Sequence, residues 1–254
     1  MESPAVSLII PIYNEKLHLT DFLDYIDSVD IGYDHELVFI DDCSTDGSAE
    51  IVQEYKFKKK HQLIRQATNQ GKGAAVRRGF EVAQGKVIGV QDADFEYRAE
   101  DINKLVKPIL EGECDVAFGT RFARGGIQVH RTYHYLVNRV LTLLSNMMSG
   151  LYLSDMETCY KFFRAEIIKN VELTSDRFGF EPEITAKVAR LRTKVVELPI
   201  SYFPRNYMEG KKITWKDGVA ALYHILSFNL QCRKGAPVRP GLPKKYIPQG
   251  AQWL

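Results

Sequence analysis

The chain has 254 residues, of which 45% are hydrophobic and 26% are charged, and its formal net charge is +2. This composition excludes a disordered chain, a collagen and a coiled coil. The small net charge also argues against a nucleic-acid-binding protein, which usually carries a stronger basic excess. Four cysteines without a CxxC spacing argue against a zinc site or a disulfide scaffold, so we expect a reducing, cytoplasmic setting.

Short apolar runs alternate with segments of helical spacing through the first half of the chain. The predicted strands are Val6–Ile10, Leu37–Ile40, Leu63–Arg65, Lys86–Val90 and Asp115–Gly119. The predicted helices are Leu17–Val29, Ala49–Tyr55, Gly73–Ala83 and Asp101–Leu110. Such alternation predicts an α/β protein whose central sheet is mostly parallel, with helices on both faces.

The second half is predicted to contain helices at Arg131–Met148, Glu181–Leu191 and Trp215–Leu230, with an edge strand at Lys194–Pro199. Four prolines follow Lys234, so we expect the tail to lack regular structure. The longest segments free of Asp, Glu, Lys and Arg, at 140–154 and 218–232, have 15 residues each. Since a membrane-spanning helix needs roughly 20 apolar residues, we expect no span, although either segment could lie on a bilayer.

The most specific chemical pattern is Gln-Asp-Ala-Asp-Phe-Glu at positions 91–96, directly after a predicted buried strand. If the chain stays extended, Asp92, Asp94 and Glu96 point to one side and their carboxylates converge. Converging carboxylates repel one another unless a cation lies between them, and Mg²⁺ commonly binds one or two carboxylates together with substrate phosphates. We therefore interpret the segment as a metal site. The alternative is an acidic loop that caps the helix beginning near Glu100.

Two further polar segments follow predicted strands, where ligands of open parallel sheets bind. Asp41 ends the second strand and is expected to accept hydrogen bonds from a base or ribose, although the adjoining residues 44–46 can simply cap the next helix. Residues 69–74, Asn-Gln-Gly-Lys-Gly-Ala, form a glycine-rich turn before a helix, where backbone N–H groups favour anions. This turn matches neither a dinucleotide fingerprint nor a P-loop, and a plain turn is the alternative.

Basic side chains are concentrated in two places. Residues 116–154 contain no acid but carry four arginines, among them Arg121 and Arg131. These arginines can bind an anionic lipid headgroup, or they can belong to a solvated helix face. Arg205 and Lys211 lie in a basic loop before the last helix, which can close over a diphosphate or simply be exposed to solvent.

Taken together, six motifs resemble those of family 2 glycosyltransferases of the GT-A fold, and most of all the dolichol-phosphate mannose synthase and polyprenyl-phosphate glucosyltransferase group. In chain order the motifs are Pro11–Glu15, Asp41–Gly47, Asn69–Ala74, Asp92–Asp94, Gly119–Arg121 and Asp155–Lys161. The resemblance covers Val6 to Ile213. It implies a Rossmann-like GT-A domain over residues 1–213. Beyond that domain, the residue pattern predicts an amphipathic helix at 214–233 and a proline-rich basic tail at 234–254.

The resemblance also implies a reaction and the roles of particular residues. The reaction is an inverting transfer of a hexose from a UDP- or GDP-linked sugar to a polyprenyl phosphate, with Mg²⁺ or Mn²⁺ as cofactor. The residues implied to hold the base and ribose, or to lie beside them, are Pro11, Tyr13, Glu15, Asp41 and Lys72. Asp92, Asp94 and Glu96 are implied to bind the metal, Arg121 and Arg131 the acceptor phosphate, and Arg205 and Lys211 the donor diphosphate.

Alternatives to this function stay open. A phosphate acceptor is already an anion, whereas a hydroxyl acceptor such as a soluble glycan needs a general base, for which Asp155 and Glu157 are the candidates. A non-catalytic nucleotide-sugar-binding protein is a further alternative, against which the intact Asp92, Asp94 and Lys72 argue. We expect the protein to work in the cytoplasm and to contact the cytoplasmic face of a membrane peripherally, through the helix predicted at 131–148.

Overall fold

The computed structural model describes residues 3–122, 132–177, 179–204 and 215–248. Its seven strands form one sheet in the order β3-β2-β1-β4-β6-β5-β7, with helices packed around it. The strands are β1 (Val6–Ile12), β2 (His35–Asp41), β3 (Lys60–Arg65), β4 (Val87–Val90), β5 (Val116–Thr120), β6 (Lys161–Arg164) and β7 (Val195–Pro199). The helices are α1 (Lys16–Ser28), α2 (Ser48–Glu54), α3 (Lys72–Val82), α4 (Ile102–Leu110), α5 (Thr132–Ser149), α6 (Ala165–Ile168), α7 (Phe180–Val188) and α8 (Trp215–Gln231).

The register of the strands brings the predicted functional segments to one edge of the sheet. Ile12 of β1 lies opposite Asp41 of β2, and Ile9 of β1 lies opposite Val90 of β4. All three strands run parallel, so their carboxyl ends lie along the same edge. Pro11 lies beyond the last β1–β4 pair, where its missing N–H is not needed by β4.

The predicted α/β fold with a mostly parallel sheet is confirmed, and the predicted edge strand is β7. The sequence analysis missed β6, which is antiparallel to both neighbours and lies between β4 and β5. The strand has only four residues, and a buried lysine begins it, so it lacks the apolar run that marks the other inner strands. Because β6 is antiparallel to both, β5 runs in the same direction as β4 and ends at the same edge.

The tail is more ordered than predicted. Short 3₁₀ turns form at Cys232–Lys234 and Lys244–Tyr246. The side chain of Tyr246 is buried, and its hydroxyl donates to Glu166 Oε1 at 2.7 Å. The expectation of a tail without regular structure is therefore wrong at these residues, because an aromatic anchor docks them on the domain. Among the helices within the described ranges, none is both long and apolar enough to cross a membrane.

Candidate active site

The loops after β1 and β2 brace each other. Asn14 has a φ of 53°, and its Oδ1 accepts a hydrogen bond from Thr45 N at 2.9 Å. Glu15 N donates to Ser48 Oγ at 3.0 Å. Tyr13 directly precedes these two residues and is 41% exposed. The segment that carries the first predicted donor residues is thus fixed in shape, with one aromatic ring at the surface.

Asp41, the predicted partner of a base or ribose, is fully buried at the end of β2. Ser44 N lies 3.3 and 3.2 Å from its two carboxylate oxygens, and Arg65 Nε lies 3.7 Å from Oδ2. The carboxylate therefore holds the turn after β2 in place.

The glycine-rich turn before α3 binds an anion that belongs to the protein itself. The Asp42 carboxylate accepts hydrogen bonds from Gln70 N at 2.8 Å and from Gly71 N at 2.7 Å. A Cβ on Gly73 would lie 2.3 Å from the carbonyl oxygen of Ser175, so glycine is needed for the close approach of that loop. The expectation that this turn offers its N–H groups to a ligand is therefore wrong at Gln70 and Gly71.

Lys72 is the centre of a charged cluster at the end of β4. Its Nζ lies 2.9 Å from Asp92 Oδ2, 3.5 Å from Glu181 Oε1 and 3.6 Å from Cys159 Sγ. Burial alone would lower the pKa of Lys72, but attraction to Asp92, Cys159 and Glu181 holds it well above its ordinary value. Lys72 therefore stays a cation, and it neutralises two carboxylates at the centre of the edge.

The chain is not extended through the Asp-Ala-Asp segment, which corrects the geometric premise of the prediction. It turns at Ala93 and Asp94, and Phe95 has a φ of 58°. Glu96 N donates to Asp94 Oδ1 at 3.1 Å, while Glu96 Oε2 accepts a hydrogen bond from Tyr202 Oη at 2.8 Å. The three carboxylates consequently do not line one side of a strand.

The donor atoms of this segment nevertheless suit a hard divalent cation. No cluster of three or more His, Cys, Asp and Glu side chains with metal-binding geometry occurs among the residues that the structure describes. Mg²⁺ needs only one or two carboxylates when substrate phosphates complete its coordination, and it binds oxygen ligands alone. Asp94 and Glu96, joined by the turn, together with Asp92 supply such oxygens, so the residues fit the cation that the resemblance implies.

Arg121 and Asp155 form a buried ion pair at the end of β5. Arg121 Nε lies 2.7 Å from Asp155 Oδ2, Arg121 Nη2 lies 2.8 Å from Oδ1, and the backbone N of Arg121 also donates to Oδ2 at 3.0 Å. Burial would raise the pKa of Asp155, but the Arg121 charge and hydrogen bonds keep it below its ordinary value. A carboxylate so stabilised is a poor general base, and its evident task is to orient Arg121.

Tyr202 connects this ion pair to the acidic turn. The guanidinium carbon of Arg121 lies 5.1 Å from the centre of the Tyr202 ring, while the Tyr202 hydroxyl binds Glu96. Tyr97 packs against Tyr202 with ring centres 5.3 Å apart. The metal-site candidates and the acceptor-site candidate are therefore joined by one aromatic contact.

Glu157 differs from the other acids at this edge. Its Oε1 is enclosed, and it has no hydrogen-bond partner in the described part of the chain. Burial, and then repulsion from Glu181, raises the pKa of Glu157 to about 7. Of the two base candidates named from the sequence, Glu157 is the one with a proton affinity suited to neutral pH.

The structure adds Cys159, Glu181 and Tyr202 to the predicted residues. Glu181 could have been suspected from two acids within the apolar start of a helix, at Phe-Glu-Pro-Glu. Three predicted residues, Arg131, Arg205 and Lys211, lie outside the described residues.

Comparison with known protein families shows which family the chain resembles. A model described as "Glycosyl transferase family 2" matches residues 7–172. The chain is 34% identical over 209 residues to dolichol-phosphate mannosyltransferase of Pyrococcus furiosus, a match that covers 81% of this chain and 58% of that protein. It is 27% identical over 238 residues to undecaprenyl-phosphate 4-deoxy-4-formamido-L-arabinose transferase of Aeromonas hydrophila, covering 92% and 69% of the two proteins. The chain thus spans only part of both relatives.

Solved structures share the GT-A fold. Glucosyl-3-phosphoglycerate synthase from Mycobacterium tuberculosis, crystallised with Mn²⁺, UDP and glucosyl-3-phosphoglycerate, superimposes with a TM-score of 0.66 at 16% identity, over 89% of this chain and 80% of that one. Mannosyl-3-phosphoglycerate synthase from Rubrobacter xylanophilus gives a TM-score of 0.66 at 16% identity, over 95% and 79% of the two chains. At this level of identity the likeness establishes the fold.

Proposed function

Because the chain belongs to glycosyl transferase family 2, we propose that it transfers a hexose from a UDP- or GDP-linked sugar to a polyprenyl phosphate, with inversion at the anomeric carbon. The observation that carries the proposal is the Arg121–Asp155 pair. It presents a guanidinium at the same edge as the Lys72–Asp92 cluster. Two relatives named for polyprenyl-phosphate substrates support the choice of acceptor.

The donor is proposed to lie along the ends of β1, β2 and β4. Tyr13 offers an exposed ring for the base, with Pro11, Glu15 and Asp41 shaping that pocket. Asp94, with Asp92 and Glu96, would hold Mg²⁺ or Mn²⁺, which when bound acts as a Lewis acid on the leaving diphosphate. Arg205 and Lys211 are proposed to add positive charge to the same leaving group.

The acceptor is proposed to lie beside Arg121, with Arg131 as a second phosphate ligand. The Arg121–Asp155 pair uses Nε and Nη2, so that Nη1 can reach a further acceptor. A hydrogen bond from an arginine to a phosphate oxygen is charge-assisted, and therefore shorter and stronger than a neutral one. An ionised phosphate oxygen needs no general base, so the side chains here have only to orient it behind the anomeric carbon.

We also propose that α5 and α8 contact the membrane that contains the acceptor. The two helices pack on each other through a small buried cluster formed by Leu141, Met156, Ala221 and Ile225. Their outer surface, the α5–α8 face, exposes large apolar side chains: Tyr133, Leu136, Val140, Leu143, Met147, Val219, Leu222, Tyr223, Leu226 and Leu230. Asn138 of α5 donates to Asp155 at 3.3 Å, which joins this face to the acceptor site. Docking would occur from the cytoplasm.

One observation favours a second candidate, transfer to a hydroxyl group. Burial and the neighbouring Glu181 raise the pKa of Glu157 to about 7, which is the range that suits a general base at neutral pH. A soluble glycan is the acceptor that this candidate implies.

Labelled UDP-glucose and GDP-mannose, each with Mg²⁺ or Mn²⁺, test the proposal when offered with undecaprenyl phosphate, dolichyl phosphate or the matching alcohols. We expect transfer to a polyprenyl phosphate and none to the alcohol. Equal rates with the phosphate and the alcohol would support the hydroxyl candidate instead. Binding of a sugar nucleotide without transfer or hydrolysis would leave a non-catalytic binding protein.

A further inference from the structure

The carboxylate of Glu157 is an unsatisfied group inside an otherwise well-anchored segment. Oε1 is enclosed without a hydrogen-bond partner, and the side chain makes no ion pair within the described ranges. The residue as a whole is only partly buried, so a ligand can approach it on the side away from Oε1. An enclosed carboxylate without partners costs free energy, and such groups persist in folded proteins mainly at functional sites.

The backbone on either side of Glu157 is held firmly. Lys161 Nζ is fully buried and donates to the carbonyl oxygens of Met156, at 2.7 Å, and Thr158. Met156 N donates to Thr142 Oγ1 at 3.1 Å. The hydrogen bonds of Lys161 thus hold the backbone around Glu157 in place. A side chain that recognises a ligand selectively needs such a rigid support.

Glu157 also lies on the segment that joins the two halves of the edge. Two residues before it, Asp155 pairs with Arg121, and two residues after it, Cys159 Sγ lies 3.6 Å from Lys72 Nζ. Glu181 belongs to the Lys72 cluster on the donor side, and Arg121 to the ion pair on the acceptor side. In a transfer between these sites, the group that lies between them is the sugar itself.

We propose that Glu157 is a specificity-determining residue that accepts hydrogen bonds from hydroxyl groups of the transferred sugar. Hexose hydroxyls are neutral donors, so they satisfy a carboxylate without bringing another charge into the cluster. Epimers place those hydroxyls differently, and a site built to bind a hydroxyl rejects the analogue that lacks it. This assignment rests on the proposed use of a sugar-nucleotide donor.

The test separates sugar binding from nucleotide binding. Calorimetry with wild-type protein and Glu157→Gln would measure Kd for UDP-glucose, UDP-galactose, GDP-mannose, UDP and GDP, in the presence of Mn²⁺. We expect Glu157→Gln to weaken binding of the preferred sugar nucleotide about tenfold or more, the scale of a lost hydrogen bond to a charged group. Affinity for the corresponding nucleoside diphosphate should stay within about twofold, and the preference between glucosyl and galactosyl donors should narrow.

Thr158→Val is the matched control. Thr158 Oγ1 is also enclosed without a partner among the described residues, but the residue has no exposed surface, so a sugar does not reach it. We expect this variant to bind both ligands like the wild-type protein. Glu157→Gln should keep its thermal midpoint or gain a little, because an unpaired carboxylate is removed.

Two results would overturn the assignment. One is an unchanged ratio of sugar-nucleotide to nucleotide affinity in Glu157→Gln. The other is a loss of turnover with unchanged ground-state binding, which points to proton transfer instead. A wild-type protein that binds no sugar nucleotide contradicts the proposed function itself, so the two failures are distinguishable.

Discussion

The acids on the two sides of the sheet edge have different partners. On the β1–β2 side, Asp41, Asp42 and Asp46 each accept hydrogen bonds from backbone N–H groups of the adjoining loops. On the β4–β6 side, Asp92 and Glu181 both pair with Lys72, and Glu157 leaves an oxygen without a partner in the described structure. The first side uses carboxylates to shape loops, and the second concentrates them.

This difference indicates which acids are available for chemistry. A carboxylate bound by several N–H groups is stabilised as an anion and contributes to stability. A carboxylate placed beside another one raises the free energy of the folded state unless a ligand or cation compensates. The β4–β6 side is therefore where we expect variants to separate activity from stability.

The largest effect is expected for Asp94→Asn on the β4–β6 side. Loss of a charged oxygen ligand removes Lewis-acid stabilisation worth several kcal/mol, so transfer should fall by about 10³-fold or more while the fold is retained. Initial rates with saturating Mn²⁺, and metal-dependent nucleotide binding by calorimetry, check this outcome. The exposed Asp21→Asn on α1 serves as the control. Full activity of Asp94→Asn, or of the wild-type protein in excess chelator, would remove the metal from the mechanism.

The Arg121–Asp155 pair gives the next largest effect, this time on stability. Arg121→Ala leaves a buried charge without its partner, and we expect the free energy of unfolding at pH 7 to fall by about 3–5 kcal/mol. Urea denaturation measures the loss. The exposed Arg78–Glu81 pair should contribute less than about 1 kcal/mol in the matching Arg78→Ala variant.

The sign of the pH dependence sharpens this second prediction. The folded-state pKa of Asp155 is below its ordinary value, so the pair stabilises the protein above the unfolded pKa of about 4. That contribution disappears as the pH falls through the lower, folded-state pKa. Wild-type and Arg121→Ala stabilities should therefore stay apart above about pH 4 and converge only below it, and convergence near neutral pH would contradict the assignment.

The sequence predicts the structure of the β1–β2 side better than that of the β4–β6 side. Alternating apolar runs and helical spacings predicted β1, β2, β4 and the edge where they end, because parallel strands bring sequential loops together. The antiparallel β6 escaped, because its buried lysine is satisfied by carbonyl groups of its own segment. The left-handed Phe95, which breaks the alternation of the acidic segment, has no signal in the residue pattern.

The sequence predicted many residues of the candidate site, but not which of them pair with one another. Arg121 and Asp155 were both named, yet their pairing spans 34 positions and follows from the way β5 and the loop before β6 meet. Glu181 was missed because an acid in the first turn of a helix is ordinarily explained by the helix dipole. Tertiary contacts decided which acids are neutralised, and local patterns carry little information on that point.

A substitution on the α5–α8 face should have a smaller effect than Asp94→Asn and Arg121→Ala at the sheet edge, and the effect is on membrane binding. Leu143 is 61% exposed on this face, whereas Leu17 is 84% exposed on α1. If the face enters the membrane interface, Leu143→Glu should weaken binding to anionic liposomes about tenfold or more, because it loses apolar burial and adds repulsion. Leu17→Glu, with the same chemical change, should have little effect. Flotation at low salt measures both, and equal losses in the two variants would show non-specific adsorption.

The smallest expected effect is the change that Glu157→Gln makes in how stability depends on pH. Its pKa in the folded protein is about 7, above the ordinary value near 4.5, because of burial and the neighbouring Glu181. The folded state therefore holds more protons than the unfolded state between those values, and stability falls as the pH rises through that window. The charges of Lys161, Arg121 and Asp155 also act on this carboxylate. Glu157→Gln cannot titrate, so its thermal midpoint should match the wild type below pH 5 and exceed it above pH 7. The expected gap is on the order of 1 kcal/mol, which is about 2–4 °C in a chain of this size.

A sugar nucleotide that binds Glu157 should narrow the gap, since its hydroxyls bind the carboxylate of the wild-type protein more strongly than the amide of the variant. Differential scanning calorimetry at pH 5, 6, 7 and 8, with and without UDP-glucose and GDP-mannose, measures both trends. A gap that is independent of pH would show that Glu157 is ionised throughout, and would place it with the satisfied carboxylates of the β1–β2 side.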